Sequence, residues 1–174
     1  VPPTKRQPTG GITFGERLAV GPYGALHAAS SADRVGLRGL AVDDRLLANP
    51  TLRIALDDRA SLEMLRSLDH PAVVSVSHVV SDDTTVWVVA AGARPHVTLA
   101  SRLAALRARN EDRLDTHVVL ALIGPVIDAT IAAHTAGIIH GAIHSRSVVI
   151  EDSGAVRLDD FAIGRALALA ISDG

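Results

Sequence analysis

The sequence contains no cysteine, and this absence excludes several kinds of site. Without a thiol the chain can form neither a disulfide framework nor a thiolate metal site, and it cannot use a cysteine nucleophile. Because a chain without disulfides fits a reducing compartment, we expect a cytoplasmic location. The chain would be either a cytoplasmic protein or the cytosolic part of a larger, membrane-associated one.

Lysine is almost as scarce, because Lys5 is the only lysine among 17 cationic residues and all the others are arginine. Lys5 lies in a segment rich in Pro, Thr and Gly, which forms helices or strands poorly, so we predict a flexible leader over residues 1–12. Chemistry that requires a lysine inside the fold is therefore excluded.

Strong charge of one sign and long apolar runs are also missing. The formal net charge is −2 and no basic run is present, so we expect no nucleic-acid partner. No segment reaches the ~18 uninterrupted apolar residues that span a bilayer, and the first residues lack an apolar signal region. We therefore expect no direct membrane insertion by this segment, and the 174 residues, 48% of them hydrophobic, predict one compact domain.

What is present in the first half is a pattern of short strands around one helix. Glycines interrupt the apolar stretch from Phe14 to Ala29, which predicts two strands and a turn. A third strand is predicted at Leu37–Val42, and apolar residues at helical spacing predict an amphipathic helix over Leu52–Leu68. Two further strands follow His70-Pro71, at Val73–Val80 and Thr85–Ala91. The predicted order is β-β-β-α-β-β.

The second half is predicted to be mainly helical. We expect a helix from about Thr98 to Arg109 and a longer, strongly apolar one from Leu114 to His134, with a kink or local break at Gly124-Pro125. A loop over Ile138–Ile143 is then followed by a hairpin formed by Val148–Ile150 and Val156–Leu158.

Two strings in this frame resemble bacterial Ser/Thr protein kinases of the Hanks type. LAVGPYGALHAA, from Leu18 to Ala29, is similar to the glycine-rich strand-turn-strand, with Gly21 and Gly24 at the second and third glycine positions. The stretch from Ala132 to Leu167 is similar to the catalytic loop, the strand pair after it and the metal-binding motif, with Asp160-Phe161-Ala162 at the Asp-Phe-Gly position.

The resemblance implies an α+β, protein-kinase-like fold: a five-stranded antiparallel N-lobe sheet with helix C, and a truncated, mainly helical C-lobe. The domains implied are a flexible leader at 1–12, a kinase-like N-lobe at 13–92 and a truncated kinase-like C-lobe at 93–174. It also implies that His140 holds the catalytic loop against Phe161.

Several positions depart from the kinase pattern, and the resemblance locates them. Leu40 falls on the strand-3 lysine, and that lysine's glutamate partner falls near Ser61, or on Glu63 after a two-residue shift. In the catalytic loop, Ala142 falls on the aspartate, His144 on the lysine and Ser147 on the metal-binding asparagine. These departures predict a pseudokinase that is not an enzyme, with no catalytic residues, no metal and no cofactor.

The function predicted on this basis is a protein-interaction, scaffolding or regulatory module. The partner would be another protein, or a second copy in a homodimer, bound through the uncovered C-lobe. The alternative is a nucleotide-sensing pseudokinase that binds ATP or ADP with Gly21, Gly24 and Asp160, near a hinge at Ala90-Ala91. A third possibility is an enzyme with unconventional transfer chemistry in which an arginine such as Arg38 replaces lysine.

Overall fold

The computed structural model describes residues 11–82, 84–92, 97–111 and 113–172. All but the last two residues of the predicted leader lie outside this part of the chain, and the first strand begins at Ile12. The predicted boundary between the lobes, at residues 92 and 93, lies at the edge of a segment that is not described.

The first lobe contains an antiparallel sheet of five strands, as the sequence predicts. In chain order the strands are β1 (Ile12–Gly21), β2 (Gly24–Ser31), β3 (Leu37–Val42), β4 (Val76–Ser81) and β5 (Val86–Ala91). Their spatial order is β1-β2-β3-β5-β4, so β3 lies at the centre. A central strand holds its side chains firmly, because both of its edges are hydrogen-bonded.

One face of this sheet is organised around an aromatic pair. The ring of Phe14 on β1 stacks on that of Trp87 on β5, with 3.8 Å between ring centroids. Gly39 on β3 makes room for this stack, because a Cβ atom there would lie 2.5 Å from a ring carbon of Phe14. The register of the strands brings these three residues together.

The single helix predicted over Leu52–Leu68 is wrong. The structure has three helices before β4, namely α1 (Asp44–Leu47), α2 (Pro50–Asp57) and α3 (Arg59–Ser67). The chain leaves helical geometry at Asp58, whose ψ is 105° and whose carboxylate accepts a hydrogen bond from the backbone N–H of Ser61 at 3.2 Å. Aspartate stabilises a helix more at its start than in its interior, so Asp58 divides the segment into two helices.

The second lobe combines three helices with a small sheet. The strands β6 (Val97–Thr98), β7 (Val148–Ile150) and β8 (Val156–Leu158) pair in chain order, and the helices are α4 (Leu99–Ala108), α5 (Thr116–Thr135) and α6 (Phe161–Ser172). The predicted helices and hairpin are confirmed. Of the kink or local break predicted at Gly124-Pro125, the break does not occur, because α5 continues through both residues.

Helix α6 was not predicted from the sequence. It packs mainly on α2 of the first lobe and buries an apolar side that includes Phe161, Ile163 and Ala166. These residues join a core cluster that also contains Leu52 and Leu56 of α2. The hydrophobic core is therefore continuous between the two lobes.

Helix α5 is apolar on both of its sides. One side is buried through Leu122, Val126, Ala129 and Ala133, whereas apolar side chains on the other side are exposed. By length and composition alone, α5 could cross a membrane. A single such helix is weak evidence, because the core helices of soluble proteins meet the same criterion.

Candidate functional site in the cleft between the lobes

A cleft of about 690 Å³ separates the turn between β1 and β2 from the second lobe. Its lining includes four positions that the sequence analysis named, Gly21, Gly24, Leu40 and Asp160. Most of the other polar groups come from four side chains, namely Tyr23, Arg38, Arg146 and Asp159. Apolar groups come from Leu26 and Val149. Ligand pockets commonly have a volume and a mixed lining of this kind.

An ion pair between the two lobes crosses this cleft. The guanidinium group of Arg38 on β3 donates a hydrogen bond to the carboxylate of Asp159, which follows β8. Arg38 lies two residues before Leu40, so both side chains are on the same face of β3 and both line the cleft. Arg38 is only 5% exposed, which makes this a buried ion pair.

The pairing differs from the one that the resemblance implies. Ser61 falls near the helix position whose glutamate pairs with the strand-3 lysine. Its side chain is buried and bonds to Asp58 instead. The other candidate, Glu63, is exposed. The buried cation of β3 is therefore neutralised from the second lobe rather than from the helix.

Asp160 is held in an unusual environment beside this ion pair. Its φ of 66° lies in the left-handed region, which non-glycine residues seldom adopt. Burial and the neighbouring charge of Asp159 raise the pKa of Asp160 to about 8, although Arg38 opposes the shift. The Asp160 carboxyl therefore carries a proton through much of the neutral range.

A second contact between the lobes joins Tyr23, in the turn between β1 and β2, to His144. The Tyr23 oxygen lies 2.6 Å from Nε2 of His144, and the two rings stack with 5.7 Å between centroids. Nδ1 of His144 accepts hydrogen bonds from the backbone N–H groups of Arg146 and Ser147, at 3.1 Å each. Nε2 therefore carries the ring proton and donates a hydrogen bond to the Tyr23 oxygen.

Ser147, predicted at the metal-binding asparagine position, is fully buried below the cleft. Its hydroxyl donates to the backbone carbonyl of His144 at 2.8 Å and accepts from the His144 N–H at 3.0 Å. Ser147 thus stabilises its own loop, and the structure does not place it among the residues that line the cleft.

His140 and Phe161 are in contact, as the resemblance implies. Their ring centroids are 4.6 Å apart, and Nε2 of His140 lies 2.6 Å from the backbone oxygen of Asp159. Burial lowers the pKa of His140, so the ring is neutral and donates from Nε2. His140 therefore connects the loop before β7 to the chain after β8.

Gly24, predicted to bind nucleotide, has a structural role that the sequence did not indicate. Its φ is 145°, and a Cβ atom at this position would lie 1.9 Å from the carbonyl oxygen of Ala41. Any side chain there would force β2 and β3 apart. The packing of the hairpin on β3 is therefore sufficient by itself to require glycine at position 24.

Sequence analysis missed the contributions of Tyr23 and Asp159 to the cleft and named Arg38 only as a possible lysine substitute. A signal was available for the ion pair, because a chain whose single lysine is Lys5 has an arginine in β3 and adjacent aspartates after β8. No signal indicated the contact between Tyr23 and His144, which depends on how far the hairpin bends toward the second lobe. Ala142 is half-buried outside the cleft lining.

Comparison with known proteins agrees with this architecture. Residues 12–171 match the protein tyrosine and serine/threonine kinase family, and the chain belongs to this family. The fold is that of a bacterial Hanks-type kinase, as the sequence predicts.

Three of the similar proteins and structures are mycobacterial. A stretch of 54 residues, 31% of the chain, is 41% identical to the serine/threonine-protein kinase PknL of Mycobacterium tuberculosis and covers 14% of that protein. Two crystal structures of the Mycobacterium tuberculosis PknI kinase domain, one of them a point mutant, share the fold, with TM-scores of 0.79 and 0.78 and identities of 20% and 21%. The chain spans 62% and 60% of the lengths of those two solved chains, which in turn cover 90% of it.

The family assignment corrects the prediction that the chain is not an enzyme. That prediction relied mainly on two replacements. Leu40 stands at the position of the strand-3 lysine, and Ala142 stands at that of the catalytic-loop aspartate. The family is one of kinases, and the curated relatives are named serine/threonine-protein kinases. These two replacements therefore do not place the chain outside an enzyme family.

Proposed function

We propose that this kinase-family domain acts as a regulatory protein-interaction module. The observation that carries the proposal is an apolar stripe on the outer side of α5. The stripe is defined as Leu120, Ile123, Ile127 and Ile131, which are 65%, 40%, 51% and 59% exposed. Contiguous apolar surface of this kind generally marks a contact with another protein.

The spacing of the stripe supports a protein partner. Its residues follow one another at intervals of three and four along α5, so they lie on one side of the helix. The opposite side of α5 is fixed in the core by Leu122, Val126 and Ala129. The stripe is thus a rigid surface. Binding of a partner to it costs little conformational entropy in this domain.

The two contacts across the cleft support a regulatory role. Arg38 with Asp159, and Tyr23 with His144, hold the lobes together through side chains of the domain itself. These side chains therefore help to fix the relation between the lobes. A partner would recognise one stable arrangement of the two lobes. Breaking or forming the cleft contacts would change that arrangement and so regulate binding.

The experiment compares Ile127→Asp with a matched control, Ile54→Asp, which alters an isoleucine of α2 that is 71% exposed and outside the stripe. Light scattering after size exclusion first determines whether the domain forms a homodimer. A photo-crosslinking residue at position 127 or 54 then identifies bound proteins in the native cell. The proposal predicts a dimer, or a heterologous partner, that is captured at 127 and weakened at least tenfold by Ile127→Asp but not by Ile54→Asp.

Two outcomes would reject this function. The first is the absence of both self-association and a partner captured specifically at position 127, which would leave the stripe without a role. Transfer of labelled phosphate from ATP by the purified domain, lost in Asp160→Asn, would replace the interaction proposal with a catalytic one.

Nucleotide binding is a second candidate, and the cleft itself favours it. The volume of about 690 Å³ suits a mononucleotide, Leu26 and Val149 offer apolar contacts for a base, and Arg146 offers charge for phosphate. Melting curves with ADP and ATP test this candidate, because a ligand that binds only the folded state must raise the melting temperature. An unchanged melting temperature at millimolar nucleotide would exclude it.

A further inference from the structure

The protein-kinase family implies a divalent cation in the cleft, and two residues of this chain match its ligand positions. In protein kinases Mg²⁺ is held by the aspartate of the Asp-Phe-Gly motif and an asparagine of the catalytic loop. The matching positions here are Asp160 and Ser147. Mg²⁺ takes oxygen ligands in nearly octahedral geometry, so it needs such groups to be free and convergent.

The serine does not meet this requirement. Ser147 is fully buried, its hydroxyl proton is donated to the carbonyl oxygen of His144, and its oxygen accepts from the His144 N–H. Turning the hydroxyl toward a cation would leave both His144 backbone groups without these bonds. Ser147 is therefore committed to the loop.

The carboxylate of Asp159 already has a cation. The guanidinium of Arg38 bonds directly to the carboxylate of Asp159, next to Asp160. An arginine stays protonated at all physiological pH values, so its charge is permanent. Among residues 11–82, 84–92, 97–111 and 113–172, no cluster of three or more His, Asp or Glu side chains could hold a metal ion.

We infer that Arg38 takes the place of a divalent cation at Asp159 and Asp160, so that the cleft of this kinase-family domain does not bind Mg²⁺. The arginine acts as a built-in counter-ion, carried on the central strand of the first lobe. A metal ion would have to displace a buried guanidinium and overcome its repulsion before it could reach the carboxylate of Asp159.

The test uses the purified domain and Mn²⁺, whose free form is measured directly by electron paramagnetic resonance, with Mg²⁺ melting curves beside it. Wild type is expected to leave the Mn²⁺ signal undiminished at about 1 mM and to melt at the same temperature with or without Mg²⁺. Arg38→Ala is expected to acquire one saturable Mn²⁺ site. At tenfold excess of Mg²⁺ over its dissociation constant, the melting temperature of this variant should rise by about 3–6 °C.

A matched control is available within the chain. Arg45 forms an ion pair with Asp43, which is also followed by a second aspartate, Asp44, but this group is exposed on the surface. Arg45→Ala should gain no Mn²⁺ site, because the backbone N–H of residue 45 still bonds to the Asp43 carboxylate at 2.9 Å and the Asp44 side chain is exposed to water. Adding Asp160→Asn to Arg38→Ala should abolish the acquired site.

Saturable Mn²⁺ binding by wild type that is lost in Asp160→Asn would overturn the inference. So would an Arg38→Ala protein that is folded by circular dichroism yet gains no site. If Arg38→Ala does not fold, Arg38→Gln carries the same test, because its amide is neutral but still donates a hydrogen bond to Asp159.

Discussion

The hydroxyl of Tyr23 lies 2.6 Å from Nε2 of His144, although the two residues are 121 positions apart in the chain. This contact joins the turn between β1 and β2 to the loop before β7. Within the first lobe the Asp43 N–H donates to the Tyr23 carbonyl oxygen at 2.9 Å, whereas Gly21 and Pro22 are exposed. The hairpin is therefore positioned by the second lobe as well as by its own sheet.

Replacement of Tyr23 by phenylalanine should loosen this hairpin. The ring stack on His144 remains, but the hydrogen bond is lost, at a cost of about 0.5–1.5 kcal/mol in the free energy of unfolding. Amide hydrogen exchange at Gly21 and Gly24 should accelerate, while the turn at Gly154 between β7 and β8 serves as the internal control. Equal protection at Gly21 in the two proteins would show that Tyr23 does not restrain the turn.

Replacement of Arg38 by methionine should destabilise the fold strongly. Arg38 and Asp159 have side chains that are 6% and 17% exposed, and removing one partner of a buried ion pair typically costs about 3–5 kcal/mol. Urea denaturation measures the change, and Asp159→Leu introduced in the same chain should restore part of it. Arg45→Met, which breaks an exposed ion pair with Asp43, is the control and should change stability little.

Gly164→Ala should also destabilise the protein, although alanine is the better helix former. A Cβ atom at Gly164 would lie 2.4 Å from the carbonyl oxygen of His140, so α6 would have to move away from the loop. We expect a loss of about 1–3 kcal/mol on thermal denaturation. At Gly124 in α5 a Cβ atom would meet nothing within 4 Å, so Gly124→Ala should instead stabilise by about 0.5–1 kcal/mol. Equal effects at the two sites would argue against the packing of α6.

The contribution of Asp160 to the stability of the domain should fall as the pH rises from about 4 to about 8. Burial and Asp159 raise the pKa of Asp160 to about 8, whereas the ordinary pKa of an aspartate is 3.8. Within this window the folded state keeps a proton that the unfolded chain releases, so each pH unit lowers the free energy of unfolding by up to about 1.4 kcal/mol. Chemical denaturation at several pH values measures the slope, and Asp160→Asn should reduce it. An identical slope in the variant would mean that Asp160 is ionised in the folded state.

Much of the fold could be predicted because the relevant signals are local. Alternating apolar residues and glycine turns indicated the five strands of the first sheet, and the hairpin of β7 and β8 follows from two short apolar runs around Gly154. The helices α2 and α3 were harder to predict, because the apolar periodicity of this segment continues through Asp58. The preference of that aspartate for a helix start divided a pattern that periodicity alone joins.

The cleft was only partly predictable. Gly21, Gly24 and Asp160 were named from motif spacing, and the structure brings them to one cavity with Leu40. The same spacing suggested Ser147 as a ligand position and Ser61 or Glu63 as an ion-pair partner. Motif spacing gives position along the chain, but it does not say whether a hydroxyl turns inward or which carboxylate a buried arginine reaches.

The sequence by itself determined the kinase family, the order of the strands in the first lobe, and the scarcity of lysine, because each of these depends on residue type and local spacing. Only the tertiary structure decided that Arg38 pairs with Asp159, that Tyr23 meets His144, and that α6 packs on α2. These contacts join segments far apart in the chain, and they form because burial of apolar surface brings the lobes together and any charged or polar group enclosed there must find a partner.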